Sequence, residues 1–382
     1  MDTTTLFLAI ALILVVMATA FHVAGRGRRD QPYWGTWTVA NLVLAAALTA
    51  YVFLDDLPRF FMATVPNGLL VLGFGMRWLA ARQFGGRDTR NWMVWGPCAL
   101  FVGLCAIPAV AGSYSAVYTI VNVILCATAF ATAAEFWRDR ADRLPSRIGL
   151  VFAYGIMGAS FAVRVGQGLF AAGDIVRYLP EDTLLEIHLV VGVLHAVGAG
   201  AFALSLAYER GNLELRHAAD HDALTGLLNR GAFEARLRRR LEHGCGNFAL
   251  AVFDVDHFKG INDTYGHAAG DEALRTCAQV CRSIVRDGDM VARIGGEEFA
   301  VLLDGLSANE ARATVERIRR TMKATIISAG ERRFRISISA GIHHVGAGSR
   351  DFDALMRVAD EGLYAAKNGG RDRIEEAAAM SA

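Results

Sequence analysis

Residues 247–285 read NFALAVFDVDHFKGINDTYGHAAGDEALRTCAQVCRSIV, and the second half of the chain is organised around them. Asn247–Val255 is an apolar run that ends in Asp254 and Asp256, as a buried strand does when it reaches a polar edge. A turn follows, then a helix with apolar periodicity. Downstream, Met290–Ile294 and Phe299–Asp304 are short apolar runs separated by Gly295-Gly296-Glu297-Glu298. Adjacent glycines between strands mark a hairpin, because such turns need positive φ. Ala308–Thr325 is expected to be helical, Phe334–His344 a strand and Phe352–Lys367 a helix. This order predicts an α/β sandwich with helices packed on a sheet.

If the strands are neighbours, Asp254 and Asp256 meet Glu297 and Glu298 at one edge of the sheet. Carboxylates brought together repel unless a cation sits between them, and hard oxygen ligands suit Mg²⁺. Lys259, Lys367 and Arg371 are the nearby cations able to hold phosphate. Only three lysines occur against 36 arginines, and two of the three fall here. Carboxylates, Mg²⁺ and cationic side chains together are the toolkit of phosphoryl and nucleotidyl transfer.

Four ordered motifs carry a family resemblance. They are DALTGLLNR at 222–230, FDVDHFKGINDTYGHAAGDEAL at 253–274, RIGGEEF at 293–299 and AKNGGR at 366–371. Residues 221–371 resemble a GGDEF domain, the catalytic domain of diguanylate cyclases, in its GGEEF variant. The resemblance implies a nucleotidyl cyclase fold related to the polymerase palm, and condensation of two GTP into cyclic di-GMP with release of pyrophosphate. It places Mg²⁺, two ions per site and replaceable by Mn²⁺, on Asp254, Glu297 and the carbonyl of Val255, with Glu298 beside them. It makes Asp254, Glu297, Glu298 and Lys259 the catalytic set and puts Lys259, Lys367 and Arg371 on phosphate. Gly295 and Gly296 would let the nucleotide approach the hairpin closely. Asn262 and Asp271 match the guanine-recognising pair, which agrees with their chemistry: Asp accepts from guanine N1–H and the exocyclic amine. Leu224, Phe258 and Leu274 match the apolar pocket around the base. Asp222 and Arg230 are expected to form a salt-bridged turn at the domain entrance. His257 departs from the aromatic or apolar residue common at its position, with no loss of activity expected.

A second site is visible at Arg286-Asp287-Gly288-Asp289, an RxxD motif just ahead of Gly295. In the family this placement marks an inhibitory product site, with Arg286 and Asp289 binding cyclic di-GMP and Arg317 as a third contact. One GTP per domain implies a homodimer with two sites face to face. The alternative of another class is a catalytically silent cyclic di-GMP receptor that uses only the RxxD site.

The first half has a different composition. The chain is 53% hydrophobic and 20% charged, but residues 1–207 hold only 14 basic and 12 acidic side chains. Seven apolar stretches of membrane-spanning length are expected near 5–25, 36–54, 60–80, 92–111, 115–136, 148–172 and 184–207. Arg26, Arg28, Arg29, Arg77, Arg82, Arg87, Arg90, Arg138, Arg140, Arg143 and Arg147 follow the first, third and fifth. The alternate loops hold Arg59 and Arg177 with Asp55, Asp56, Asp174, Glu181 and Asp182. The positive-inside rule then sets the N-terminus outside and the last domain in the cytoplasm, in a multi-pass protein of the inner membrane. The expected organisation is an all-α seven-helix bundle and sensory module over 1–207, a linker helix over 208–220, the GGDEF domain over 221–375 and a flexible tail over 376–382. Arg164, His188 and His195 stand at membrane depth, where ionisable side chains are functional candidates. Six cysteines without metal-binding spacing read as reduced, mostly buried thiols. A net charge of +1 gives no sign of a nucleic-acid polymer as partner.

Overall fold

A computed structural model of the chain describes residues 2–28, 30–53, 58–175, 177, 180, 182–243, 246–330, 332–346 and 351–376. Arg29, Asp55, Asp56, Glu181, Cys245 and the tail from 377 lie outside the described residues, as do the side chains of Arg59 and Asp174. The chain divides into two compact units, Met1–Asn212 and Leu213–Ala382.

The first unit is helical. Its helices are α1 (Thr3–Ala24), α2 (Tyr33–Phe53), α3 (Arg59–Phe84), α4 (Trp92–Cys105), α5 (Pro108–Ala111), α6 (Tyr114–Arg138), α7 (Pro145–Phe170) and α8 (Thr183–Asp220), whose residues from Leu213 on belong to the second unit. The stretch 208–220 is the C-terminal part of α8. Among the described residues six helices, α1, α2, α3, α6, α7 and α8, are long and apolar enough to cross a membrane. Their outer faces carry large apolar side chains: Leu12, Phe152 and Leu194 are 65%, 64% and 68% exposed. Whole faces of this kind suit lipid rather than water.

The expected span at 92–111 is interrupted. α4 has 14 residues, and at about 1.5 Å per residue it falls short of a hydrocarbon core of about 30 Å. Ile107 is extended (ψ 122°) and Pro108 opens α5 at its first turn, where its missing N–H costs nothing. Ser113 then caps α6 by accepting from the Ala116 N–H at 3.2 Å. The loop assignment of arginines also needs correction. Arg77, Arg82, Arg138 and Arg147 lie within helices, and Arg77 and Arg147 are buried.

The second unit contains β1 (Leu228–Asn229), α9 (Arg230–Glu242), β2 (Phe248–Val255), α10 (Phe258–Tyr265), α11 (His267–Ile284), β3 (Met290–Arg293) and β4 (Glu298–Asp304). It continues with α12 (Ala308–Ala324), β5 (Ile327–Ala329), β6 (Arg332–Phe334), β7 (Ile338–Val345), α13 (Phe352–Asn368) and β8 (Ile374–Glu376). Six strands form one sheet in the order β1-β3-β4-β2-β7-β8, and β5 and β6 form a separate ribbon. The strand expected over 334–344 therefore divides between two sheets. The break at 335–337 serves Asp256, whose N–H donates to the Ser337 carbonyl at 2.9 Å.

Central β2 is buried on both faces, which explains its continuous apolar run. Ala249, Ala251, Phe253 and Val255 pack in the core with α11 and α12. Phe248, Leu250 and Val252 pack in the core with α9 and α13. The alternation puts Asp254 on the α13 side, where the site forms.

Candidate active site

β2 and β4 pair antiparallel with Asp254 opposite Glu298, and the Val255 N–H donates to the Glu297 carbonyl at 3.2 Å. The two acidic clusters thus meet where β2 ends against the β3–β4 hairpin. Stacked Phe253 and Phe299, 5.2 Å apart, fix this register from the opposite face. Lys367, in the last turn of α13, donates to Asp254 Oδ2 at 2.9 Å.

Burial pushes the Asp254 carboxyl above the ordinary carboxylate range. Lys367 opposes that shift, while Glu298 and Asp256 add to it. Glu297 is raised too, first by burial and then by the charge of Asp254. Carboxyls that hinder one another's ionisation are relieved by a cation. Among the described residues, no three acidic, imidazole or thiol groups converge tightly enough to form a metal cage. Asp254 and Glu297 instead offer an open pair of hard oxygen donors, the kind a divalent cation completes with water and substrate phosphate.

Asp256 does not join this set. Its carboxylate accepts from the hydroxyls of Ser337 and Ser339, both at 2.6 Å, and from the Asp372 N–H at 3.1 Å. It ties β7 and the 370–373 turn to the end of β2. Within that turn Arg371 and Asp372 have φ of +64° and +46°, a conformation non-glycine residues hold only when their surroundings impose it. Asp372 is held by Asp256 at its N–H and by Arg319 and Lys323 at its carboxylate. The result is an exposed Arg371 presented from a fixed turn.

Lys259 and His257 are exposed at the start of α10, and His257 takes the left-handed φ of +55° that turns the chain from strand into helix. Half-buried Asn262 lies over Gly270, immediately before Asp271. A Cβ on Gly270 would overlap Asn262 Oδ1 and approach the Phe258 ring to 3.1 Å. Gly270 thus leaves the room that Asn262 occupies next to Asp271 in the chain, a feature whose signal, Gly before Asp271, is visible in the sequence. Leu224 and Phe258 sit half-buried at the core rim, whereas Leu274 is 2% exposed within the core. Gly296 has open space where a side chain would stand, and a Cβ on Gly295 would overlap Glu298.

The expected partnership of Asp222 and Arg230 is replaced by another. Asp222 is bound by Arg293, with Nη1 at 3.1 Å from both carboxylate oxygens, and Arg230 pairs with Glu234 one helical turn on. Burial works against ionisation of Asp222, but bonds from Thr225 and Arg293 outweigh it and hold its carboxyl below the usual range. Arg293 also donates to the Gly296 carbonyl at 2.7 Å. It clamps the hairpin to the start of the unit, and no local sequence signal announces a pair 71 residues apart.

Arg286 and Asp289 meet in one turn, 3.6 Å apart. The Asp289 carboxylate is buried and accepts from the Asp304 and Arg286 N–H groups at 3.0 and 3.2 Å. The Arg286 guanidinium donates to the Asp304 carbonyl. Both residues line a groove of about 450 Å³ with Arg236 and Arg282. Arg317 is not in that lining, and its guanidinium donates to the Ile284 carbonyl at 3.1 Å.

Residues 219–373 match the family described as diguanylate cyclase, GGDEF domain. This part of the chain is a GGDEF domain. It is similar to the diguanylate cyclase DgcP of Pseudomonas aeruginosa, 42% identical over 165 residues that make up 42% of this chain and 24% of the relative. It is equally similar to the diguanylate cyclase DgcM of Escherichia coli, 42% identical over 164 residues, 42% of this chain and 39% of the relative. The chain thus spans a quarter to two-fifths of the length of these curated relatives. Among solved structures, the coiled coil and GGDEF domain of DgcB from Caulobacter crescentus, in complex with c-di-GMP, is 33% identical. That match covers 48% of this chain and 99% of the other, with a TM-score of 0.46.

Proposed function

We propose that this chain is a membrane-bound diguanylate cyclase that condenses two GTP into cyclic di-GMP and two pyrophosphates. The observation that carries this reading is the meeting of Asp254, Glu297 and Lys367 where β2 ends against the hairpin of the GGDEF domain. Asp254, Glu297 and the Val255 carbonyl, with Glu298 adjoining, would hold Mg²⁺, or Mn²⁺ in its place, which when bound acidifies the ribose 3′-hydroxyl and neutralises charge on the α-phosphate. Lys259, Lys367 and Arg371 hold the triphosphate. Lys367 is the counterion of Asp254 in the free site and exchanges that carboxylate for phosphate as substrate enters. Asn262 and Asp271 read guanine, and Leu224 and Phe258 cover the base. Adenine lacks the donors that Asp271 needs and leaves its carboxylate unpaired.

Each domain holds one GTP, so the active form is a homodimer with two sites facing each other. Cyclic di-GMP returns to the groove at Arg286 and Asp289 as a feedback inhibitor. The first unit spans the inner membrane seven times, with Trp92–Cys105 and the following residues to 111 counted as one crossing. Arginines after the first, third and fifth crossings favour an outside N-terminus and a cytoplasmic GGDEF domain. Asp271→Asn tests the substrate assignment: the ratio of kcat/KM for GTP to that for ATP is expected to fall about 100-fold or more. An unchanged ratio would remove Asp271 from the guanine site.

A further inference from the structure

A cavity of about 100 Å³ lies inside the first unit, with mostly apolar walls from α1, α2, α3, α6, α7 and α8. Arg77, Arg164, His188 and His195 also line it, and among the described residues no carboxylate does. Arg77 donates to Asn41 Oδ1 at 2.7 Å and to His195 Nε2 at 2.9 Å. His195 Nδ1 faces the Ala153 carbonyl at 3.0 Å. Arginine only donates and a carbonyl only accepts, so His195 is the neutral Nδ1–H tautomer. Among the described residues no negative charge answers Arg77 in this network.

Arg164 is 4% exposed, and its guanidinium lies over the Tyr118 ring at 4.9 Å. Its Nη1 is buried without a hydrogen-bond partner among the described residues. Asp182 acts on Arg164 through space, but its carboxylate accepts from Gln167 and from the Leu185 N–H at 2.7 Å. Elsewhere the same unit matches its buried charges. Glu135 is bridged by Arg82, Arg87 and Arg138 at 2.8, 3.1 and 3.2 Å, and buried Arg147 by Asp142 and Asp139. Only buried charges that are paired come at moderate cost. Among the described residues two cations thus face a cavity that no carboxylate lines, which leaves a place for an anion.

We propose that this cavity binds a small amphipathic monoanion, a carboxylate head on an apolar body, with the head on Arg164 Nη1. A guanidinium edge suits a carboxylate. His188, whose Nδ1 is engaged with Ser160 Oγ at 2.8 Å, lines the same cavity and offers a second polar contact. Apolar cavities of about 150 Å³ take benzene, so one of about 100 Å³ takes a smaller occupant, head and body together about four carbon atoms.

The test needs no cyclase activity and does not depend on the cyclase reading. All six tryptophans lie between Trp34 and Trp137, so melting followed by tryptophan fluorescence reports on the first unit of the intact chain. In detergent at neutral pH and matched ionic strength, propionate or butyrate is expected to raise this transition. Propanol and butanol are expected to leave it unmoved. Arg164→Gln removes the shift, and Arg164→Lys raises the half-saturating acid concentration about tenfold. If Arg164→Gln lacks a cooperative transition of its own, the lysine variant carries the comparison. A shift by the alcohols equal to that of the acids, an undiminished response in the variants, or no response to either acid overturns the proposal.

Discussion

The acidic pair at the end of β2 shows what spacing does and does not convey. Asp254 and Asp256 lie on the same side of a strand by simple alternation, yet one faces the open site and the other is held by two serine hydroxyls and a backbone N–H. The difference comes from β7 and the 370–373 turn, far away in sequence, so it was not legible in 253–256. The raised carboxyls of Asp254 and Glu297 have a consequence for stability. As pH rises through about 4, the unfolded chain releases these protons first, and stability falls until the raised folded values are passed. Below the unfolded values the penalty is absent. Asp254→Asn removes it, so without metal the second unit of the variant is expected to melt higher than wild type at pH 7. The difference narrows as pH falls from the raised folded value toward about 4 and is gone below it. Mg²⁺ is expected to stabilise the wild type but not the variant, and turnover falls about 100-fold or more. Calorimetry with and without chelator measures both effects, and a variant that melts lower at pH 7 contradicts the electrostatic assignment.

At the scale of elements, the central strand, hairpin and major helices were readable because apolar periodicity and glycine placement are local signals. The Asp254–Glu298 register follows from the hairpin and the length of β2. The strand over 334–344 was read as one piece because its apolar alternation crosses a break made by tertiary contacts. The span at 92–111 was read as one helix because hydropathy averages over Pro108. Gly270 of α11 is where Asn262 of α10 packs against that helix. Alanine there gains about 0.5–1 kcal/mol of helix propensity, and Asn262 is a flexible side chain that can swing aside. Gly270→Ala is therefore expected to keep its melting temperature while KM for GTP rises about tenfold, the loss of one good hydrogen bond to the base. Titration of initial rate against GTP checks this. A KM unchanged from wild type means that Asn262 does not read guanine from its present position.

For the molecule as a whole, composition separates the two units, because side chains facing lipid and side chains facing water are chosen by different solvents. The internal charges of the first unit escaped that reading: Arg77 looks like an inner-loop arginine until Asn41 and His195 are seen around it. A dimer interface is illegible for a related reason, since one chain carries only half of a symmetric contact. The proposed feedback belongs to the scale of the whole molecule. Arg286→Ala removes a groove cation that lies outside the Asp254–Glu297 pair, so its progress curves with GTP should stay straight where those of wild type bend as product accumulates. Curves that bend equally place the inhibitory site elsewhere. The most direct measurement is the chemical identity of what the intact chain makes from GTP and Mg²⁺ at concentrations that favour a dimer. Cyclic di-GMP with two pyrophosphates per molecule, lost in Glu297→Gln, is the result expected. Tight binding of cyclic di-GMP with no product formed from GTP would contradict the cyclase assignment and leave a receptor.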